Sequence, residues 1–127
     1  MRYTFAEASS FNQQLCWDVR CVKYTYDMFT SSSGSLDASC TTFVWPPTCA
    51  AELKAATDAW VSDASAAETR YGHIGGWNTS LITDMSYLFC GYGDSSWSSY
   101  GCDAAYQNFN EAIGNWSVGA VTDMDYT

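Results

Sequence analysis

The sequence contains few positively charged residues: five Lys and Arg stand against 14 Asp and Glu, for a formal net charge of −9. Proteins that bind nucleic acid use clusters of Lys and Arg to neutralise the phosphate backbone. A nucleic-acid partner is therefore disfavoured. Charged residues of both signs amount to only 15%, below the share of about a quarter that is typical of globular domains.

Long apolar runs are also missing. A membrane-spanning helix needs about 20 consecutive apolar residues, and no stretch of this 127-residue chain approaches that length. No charged-then-apolar leader opens the chain. We therefore expect no membrane span, and we interpret Met1 as an interior residue of a repeat.

Motifs for catalysis are absent as well. The sequence contains no GxGxxG, P-loop, HExxH or EF-hand pattern. His73 is the only histidine, and nucleophilic catalysis requires a base close to its nucleophile. Because it stands close to Gly72 and Gly75, His73 is better interpreted as a turn residue. We expect neither enzymatic activity nor a cofactor.

Six cysteines fall in three nearby couples, with no CxxC pair and no second histidine to complete a zinc site. An even number of cysteines predicts disulfide bonds formed in an oxidising compartment. Fifteen pairings are possible, and the sequence does not select one. If the last couple pairs, the short loop that it closes stabilises the fold by roughly 3 kcal/mol. The couples are Cys16 with Cys21, Cys40 with Cys49, and Cys90 with Cys102.

Two triplets have the pattern of N-glycosylation acceptors, Asn78-Thr79-Ser80 and Asn115-Trp116-Ser117. N-linked glycans are added to secreted proteins, as disulfide bonds are. Together with the cysteines, the two triplets predict a glycoprotein that is extracellular or on the cell surface.

Three stretches of the chain repeat one pattern around a tryptophan. HIGGWNTSLITDMSYLF returns as EAIGNWSVGAVTDMDYT, and QQLCWDVRCVKYTYDMF has the same spacing. Met85 and Met124 each follow their tryptophan by eight residues, and Asp84 and Asp123 precede these methionines. Met1 begins a further, partial copy. The three tryptophans are Trp17, Trp77 and Trp116.

A repeat of about 24 residues cannot bury its own apolar face, so its copies must stack on one another. We predict an α/β fold: a solenoid of about three coils in a single repeat domain, 1–127. Short parallel strands are expected at 22–29, 82–89 and 121–127. Stacking would align equivalent side chains in a core ladder of Phe5, Trp17, Trp77, Met85, Trp116 and Met124. The coils are 5–29, 71–89 and 109–127, separated by insertions at 30–70 and 90–108.

The segments FNQQLCWDV, WNTSLITDMSYLF and FNEAIGNWSVGAVTDM resemble the repeat of BspA-type leucine-rich-repeat surface proteins. The resemblance covers about 70 residues in three pieces and implies a leucine-rich-repeat-like solenoid at the cell surface, with no known catalytic centre. The first copy departs from it, with Lys23-Tyr24-Thr25 in place of Thr-Asp-Met. The cysteines and the long insertions are further departures, and they suggest a disulfide-containing version of the repeat.

The first insertion contains a candidate helix at about 49–69. Ala and Leu residues with Trp60 recur there at three- and four-residue spacing, which is typical of one apolar helix face. Thr48 is the expected N-cap, just after two prolines. Trp60 would attach this helix to the side of the solenoid, or would contact a partner.

The second insertion is a loop bounded by Cys90 and Cys102. Its aromatic residues Tyr92, Trp97 and Tyr100 are candidates for stacking against sugar rings or another subunit. Alternatively, Trp97 packs back onto the coil below it.

Asp84 and Asp123 are weak candidates for a calcium site, since calcium binds oxygen ligands. In the alternative that we favour, each carboxylate accepts hydrogen bonds from backbone amides of its own coil.

The two ends of the chain stand at the same phase of the repeat, without polar caps. We therefore expect a non-enzymatic structural protein that assembles head to tail into an extracellular filament or surface fibre. A head-to-tail contact that does not close into a ring generates a helical filament of many copies. Its partners would be copies of itself and N-linked glycans. The alternative is an adhesin or carbohydrate-recognition module that uses the exposed aromatic residues of the 90–102 loop.

Overall fold

The computed structural model describes residues 1–17, 19–22, 25–37, 45–93 and 100–127. The chain divides into two compact units, residues 1–43 and residues 44–127. We describe each by itself, and the single domain expected at 1–127 stays a prediction. We call the predicted coils copy 1 (5–29), copy 2 (71–89) and copy 3 (109–127).

The first unit contains a two-stranded parallel sheet. Strand β1 (Gln14–Leu15) pairs with β2 (Ser35–Leu36), with Gln14 opposite Ser35 and Leu15 opposite Leu36. The same ladder continues on both sides of the strands, from Ser33 N–H to Phe11 O at 3.2 Å and from Asp37 N–H to Leu15 O at 2.9 Å. Parallel pairing of segments about 21 residues apart matches the order of stacked repeats.

Three phenylalanine rings pack together in this unit. Phe5 and Phe29, which are equivalent in the repeat, stack with centroids 5.5 Å apart and an interplanar angle of 4°. The Phe5 N–H donates to Met28 O at 2.8 Å, which fixes the register of the two segments. Phe11 stacks on Phe5 at 4.3 Å. Gly34 lies against these rings, since a Cβ at this position would come within 2.5 Å of Phe11.

The second unit begins with two helices, α1 (Ala50–Ser62) and α2 (Ala64–Tyr71). Alanine-rich sequence favours both. The predicted helix at 49–69 is thus interrupted at Asp63, whose extended backbone ends α1 and whose Oδ1 accepts the Ala66 N–H at 3.0 Å to cap α2. Leu53 and Trp60 are buried on the predicted apolar face.

The prediction that Thr48 caps this helix is wrong. Cys49 occupies the N-cap position, and its side chain makes no capping hydrogen bond. Thr48 stands one residue earlier, where its N–H and its hydroxyl both donate to Glu52 Oε2, at 2.8 and 2.9 Å. The Glu52 carboxylate therefore holds the entry to the helix, and this contact accounts for its burial at 4% exposure.

Trp77 is the centre of the core of the second unit. The rings of Trp45, Trp60 and Tyr71 meet it edge-on at 5.0 to 5.9 Å. Trp116, its equivalent in copy 3, stacks on it at 6.0 Å with an interplanar angle of 18°. Both indole groups also donate hydrogen bonds, from Trp77 Nε1 to Gly72 O at 2.9 Å and from Trp116 Nε1 to Ile74 O at 2.8 Å. The two tryptophans therefore join copies 2 and 3 by both packing and polar contacts.

Backbone hydrogen bonds hold copies 2 and 3 in register. The Met85 N–H donates to Asp123 O at 2.8 Å, and the Tyr87 N–H donates to Asp125 O at 2.9 Å. Asp84 and Asp123 form an isolated parallel bridge. Asp123 comes just before Met124, the equivalent of Met85, and Asp125 comes just before Tyr126, the equivalent of Tyr87. The bond from Phe5 to Met28 follows the same rule, since Met28 comes just before Phe29.

One backbone feature marks the repeat phase. Met1, Met85, Met124 and, in copy 1, Thr25 are equivalent positions of the repeat. The second residue after each of them has a left-handed backbone. Such conformations are uncommon for residues other than glycine, so their recurrence at one position indicates that the segments share a local structure. The φ angles are 58° at Tyr3, 58° at Asp27, 58° at Tyr87 and 55° at Tyr126.

The predicted solenoid of three coils with a strand in each coil is wrong. In the described part of the chain, the only sheet is the β1–β2 pair, the inserted helix is two helices, and the chain forms two units. The expected strands at 22–29, 82–89 and 121–127 are turns and irregular backbone where the structure describes them, apart from the one bridge. The physical reason is the left-handed residue within each of them, because a positive φ breaks the extended backbone that a strand requires. Residues 23 and 24 lie outside the described part. Trp17 belongs to the first unit and is 39% exposed.

No helix in the described part of the chain combines the length and the apolar character needed to cross a membrane.

The contact between copies 2 and 3 can be tested at Gly75. A Cβ built on Gly75 would lie 2.5 Å from the backbone carbonyl oxygen of Ala112, which cannot move as a flexible side chain can. We expect Gly75→Ala to lower the free energy of unfolding by about 1–3 kcal/mol, through overpacking. Denaturant unfolding of the oxidised protein measures this value.

Gly76→Ala is the matched control, since a Cβ at Gly76 meets no atom within 4 Å. We expect its unfolding midpoint to stay close to that of the parent protein. Equal midpoints for the two variants would contradict the close approach of copy 3 to Gly75.

Candidate functional site

Three tyrosine rings of the second unit stack in a row, which we call the tyrosine ladder: Tyr100, Tyr87 and Tyr126. The centroids of Tyr100 and Tyr87 are 5.2 Å apart, with an interplanar angle of 21°. Those of Tyr87 and Tyr126 are 5.1 Å apart, with an angle of 14°. Tyr100 is 56% exposed and Tyr126 is 55% exposed. The ladder is thus a row of aromatic rings that solvent reaches.

The repeat itself aligns two of these rings. Tyr87 and Tyr126 both follow their methionine by two residues and share the left-handed backbone conformation. The hydrogen bond from Tyr87 N–H to Asp125 O places the two backbones side by side. Because paired strands lie about 4.8 Å apart, equivalent side chains in this register come to stacking distance.

A disulfide bond anchors the segment that carries the third ring. Cys90 and Cys102 are bonded, with their Cα atoms 4.7 Å apart, which confirms the pairing considered for this couple. Tyr100 precedes Cys102 by two residues, and Gly101 between them has φ 85°, a value that suits glycine. The Asp103 N–H donates to Cys90 O at 3.0 Å. The closed end of the loop therefore positions Tyr100 against Tyr87.

The environment of the ladder raises the pKa of Tyr87 above its ordinary value of 10.0. Desolvation is the main cause, followed by the neighbouring phenols of Tyr126 and Tyr100 and then by the carboxylates of Asp125 and Asp123. Each of these disfavours a negative charge on the Tyr87 oxygen. Tyr87 is therefore a neutral phenol throughout the physiological pH range.

Of the predicted core ladder, part is buried and part is exposed. Trp77, Met85 and Trp116 are 4%, 3% and 8% exposed, as core residues should be. Phe5 is half-buried. Met124, in contrast, is 48% exposed although it is the repeat equivalent of Met85.

A second pair of equivalent positions shows the same difference, and we call the exposed residues Val118, Met124 and Tyr126 the copy-3 face. Val118 is 50% exposed, whereas its equivalent in copy 2, Thr79, is fully buried. Thr79 Oγ1 donates to Ser117 O at 2.9 Å, so copy 3 covers this position of copy 2. Exposed apolar side chains that form one patch are typical of a contact surface.

Asp84 and Asp123 act as turn-forming residues. Asp84 Oδ1 accepts the Ser86 N–H at 2.9 Å and the Ser86 hydroxyl at 2.5 Å, and Asp123 Oδ1 accepts the Asp125 N–H at 3.0 Å. These are the bonds that the capping alternative predicts. No group of three potential metal ligands within the described ranges includes either residue.

The other predicted site residues differ in exposure and in role. Tyr92 is 52% exposed, while Trp97 and Cys40 fall outside the described residues. The five described cysteines are all disulfide-bonded. Asn78 and Asn115, the predicted glycan acceptors, are exposed, and the residues after them, Thr79 and Trp116, are buried. His73 lies in a turn, as expected, with Nδ1 accepting the Gly75 N–H at 3.2 Å.

Tyr106 forms a polar anchor that the sequence did not reveal. It lies in a 3₁₀ helix, Ala104–Asn108, and is 4% exposed. Its hydroxyl oxygen is 2.6 Å from Asp58 Oδ1 and 2.9 Å from Thr57 Oγ1, both on α1. The Lys54 ammonium, which is ion-paired with Asp58, lies 4.7 Å from the Tyr106 ring centroid. Burial and the Asp58 hydrogen bond raise the pKa of Tyr106 well above its ordinary value.

The tyrosine ladder was also missed from the sequence. The available signal is the recurrence of Met-x-Tyr at Met1, Met85 and Met124. Only the register of copies 2 and 3 turns that recurrence into stacked rings.

The family of the chain follows from a comparison with known protein families. The model of a family described as "Mycoplasma protein of unknown function, DUF285" matches residues 1–45 and 58–127. The chain belongs to this family, which is the BspA-like repeat family in general. No curated protein and no solved structure matches the chain significantly.

Tyr106 provides a test in alkaline solution. Its pKa is raised in the folded protein, so above about pH 10 the unfolded chain loses a proton that the folded protein keeps. The unfolded state then binds fewer protons, and the free energy of unfolding falls as the pH rises. We expect Tyr106→Phe to reduce this slope by up to about 1.4 kcal/mol per pH unit, as measured by denaturant unfolding from pH 9 to about 11.5.

Gly75→Ala is the control for lowered stability as such. It is expected to shift the unfolding free energy down at every pH and to keep the slope of the parent protein. If Tyr106→Phe keeps the parental slope as well, the buried phenol is not the group responsible.

Proposed function

We propose that the chain is a non-enzymatic structural protein of the cell surface or extracellular space that associates head to tail through the copy-3 face. We further propose that it is a disulfide-containing, insertion-bearing version of the BspA-type repeat. The observation that carries the proposal is the unequal exposure of equivalent positions, with Met85 at 3% and Met124 at 48%.

The side chains support a partner that resembles the protein itself. Copy 2 stacks Trp77 on copy 3 and buries Thr79, whose hydroxyl donates to Ser117 O, so this repeat has a surface suited to receiving another copy. Copy 3 offers Met124, Val118 and Tyr126 at the corresponding positions. Removing this apolar surface from water favours association. These equivalent positions favour a second copy of the chain as the occupant.

The backbone supports the same direction of assembly. Some of these bonds run from an N–H of the earlier segment to a carbonyl of the later one, as in Phe5 to Met28 and Met85 to Asp123, and others run the opposite way, as in Thr122 to Thr83. The Met124 N–H is the next donor in this series, and it has no hydrogen-bond partner in the described part of the chain. Because equivalent segments run parallel, different sides of them meet, and such a heterologous contact would continue from copy to copy.

The oxidised state of the cysteines supports the extracellular location. Every described cysteine is disulfide-bonded, and such bonds persist in oxidising compartments. Asn78 and Asn115 are exposed and accessible for glycosylation.

Net charge sets the conditions of assembly. At −9, copies repel one another at low ionic strength. Salt screens this repulsion over about 8 Å at physiological ionic strength. Association through an apolar face is therefore expected to strengthen as salt is added.

The test is sedimentation velocity of the oxidised protein over a range of concentration and salt. We expect the parent to form a concentration-dependent series of oligomers, and Met124→Glu to weaken association at least tenfold, because it places a charge on the copy-3 face. Leu81→Glu makes the same charge change at a residue of copy 2 that is 61% exposed, and serves as the control. A parent that stays monomeric throughout, or a Met124→Glu variant that associates like the parent, would refute the proposal.

A further inference from the structure

We propose that Tyr87 is an oxidative cross-linking site, which couples to Tyr126 to form dityrosine when a peroxidase and hydrogen peroxide act on the protein. Tyr100, on the other side of Tyr87, is the second acceptor. The inference rests on the tyrosine ladder within one chain and does not depend on association between chains.

The ladder holds the reacting rings together before any oxidant arrives. Tyr87 and Tyr126 have centroids 5.1 Å apart and an interplanar angle of 14°. The Tyr87 N–H to Asp125 O bond, at 2.9 Å, prevents the two segments from sliding past each other. Holding two groups in contact turns a bimolecular encounter into an effectively unimolecular step. Coupling within the ladder is therefore favoured over coupling between tyrosines of separate molecules.

The chemistry needs an oxidant that can reach the rings. Tyr126 and Tyr100, 55% and 56% exposed, are open to it at the two ends of the ladder. Each of two phenols gives up its O–H hydrogen atom and becomes a phenoxyl radical. The radicals join through the ring carbons next to the oxygens, and the two displaced ring protons return to the oxygens. One C–C bond replaces two C–H bonds, and the peroxide is reduced to two molecules of water.

The residues around the ladder favour coupling of Tyr87 over competing reactions. A free thiol would quench a phenoxyl radical, but all described cysteines are disulfide-bonded. Tyr3 stands at the same repeat position as Tyr87 and is 51% exposed, yet its ring faces the Arg2 guanidinium, at 4.8 Å from the ring centroid. Its neighbour in that contact is a cation that cannot couple. The ladder thus differs from this contact of Tyr3, because it places a second phenol ring against Tyr87.

A cross-link between Tyr87 and Tyr126 would join copies 2 and 3 covalently, 39 residues apart in the chain. A bond that closes so long a loop restricts the unfolded chain, as a disulfide does. The cross-linked protein should therefore unfold at a higher temperature than the untreated protein.

The experiment treats dilute, folded, oxidised protein with a peroxidase and limiting hydrogen peroxide. Dityrosine fluorescence measures the yield, and mass spectrometry of the digested monomer identifies the joined peptides by the loss of two hydrogen atoms. We expect one dominant cross-link that contains Tyr87, in a product that remains monomeric. Tyr87→Phe should lower the yield at least tenfold, whereas Tyr3→Phe should keep it.

Two further samples exclude a trivial explanation. Tyr126→Phe keeps Tyr87 and should redirect coupling to Tyr100, which a merely misfolded variant would not do. The parent protein unfolded in denaturant should lose the preference for Tyr87. A parental yield in Tyr87→Phe, a product found only between chains, or the same cross-links in folded and unfolded protein would overturn the proposal.

Discussion

The backbone hydrogen bonds from Met85 to Asp123 and from Tyr87 to Asp125 are the constraint on which the second unit depends. They set copy 3 against copy 2 with equivalent residues side by side. Trp116 then stacks on Trp77, and Tyr126 stacks on Tyr87. The same rule holds in the first unit, where Phe5 donates to the carbonyl before Phe29. One register thus produces both the buried tryptophan stack and the exposed tyrosine ladder.

The register also makes the two sides of each copy different. Copy 2 is satisfied on the side that meets copy 3, because Met85 is buried and its N–H is bonded. The corresponding side of copy 3 has Met124 exposed. In the proposed assembly, the apolar surface and the N–H at Met124 would meet the side of another copy that presents carbonyl groups. This asymmetry is the reason for proposing assembly in one direction.

Part of this arrangement could be predicted from the sequence. The repeat phase indicated that Trp77 and Trp116 are equivalent, and they stack; alanine spacing indicated helix at 49–69. The even number of cysteines indicated disulfide bonds, but not that Cys90 pairs with Cys102. The expected strands failed because residues such as Tyr87 adopt a left-handed backbone, which no composition rule assigns to tyrosine. The break at Asp63 is a local capping preference that overrides a continuous apolar face.

The tyrosine ladder and the Tyr106 anchor are contacts between residues far apart in the chain, which sequence patterns do not predict. Tyr87 and Tyr126 are 39 residues apart, and Tyr106 and Asp58 are 48 apart. Contacts at such separations depend on how the 90–108 insertion and the helices fold back, which local periodicity does not encode. The position of Tyr100 depends in turn on the disulfide and on Gly101.

Hydrogen exchange of individual amides, followed by NMR, tests the central claim most directly. In dilute monomer the Met85 and Tyr87 amides should be protected, because copy 3 covers them, while the Met124 amide should exchange freely. At concentrations that favour association, the Met124 amide should become protected as well. Free exchange at Met85 in the monomer would contradict the register of copies 2 and 3, and a Met124 amide that stays unprotected in the assembled protein would contradict assembly through the copy-3 face.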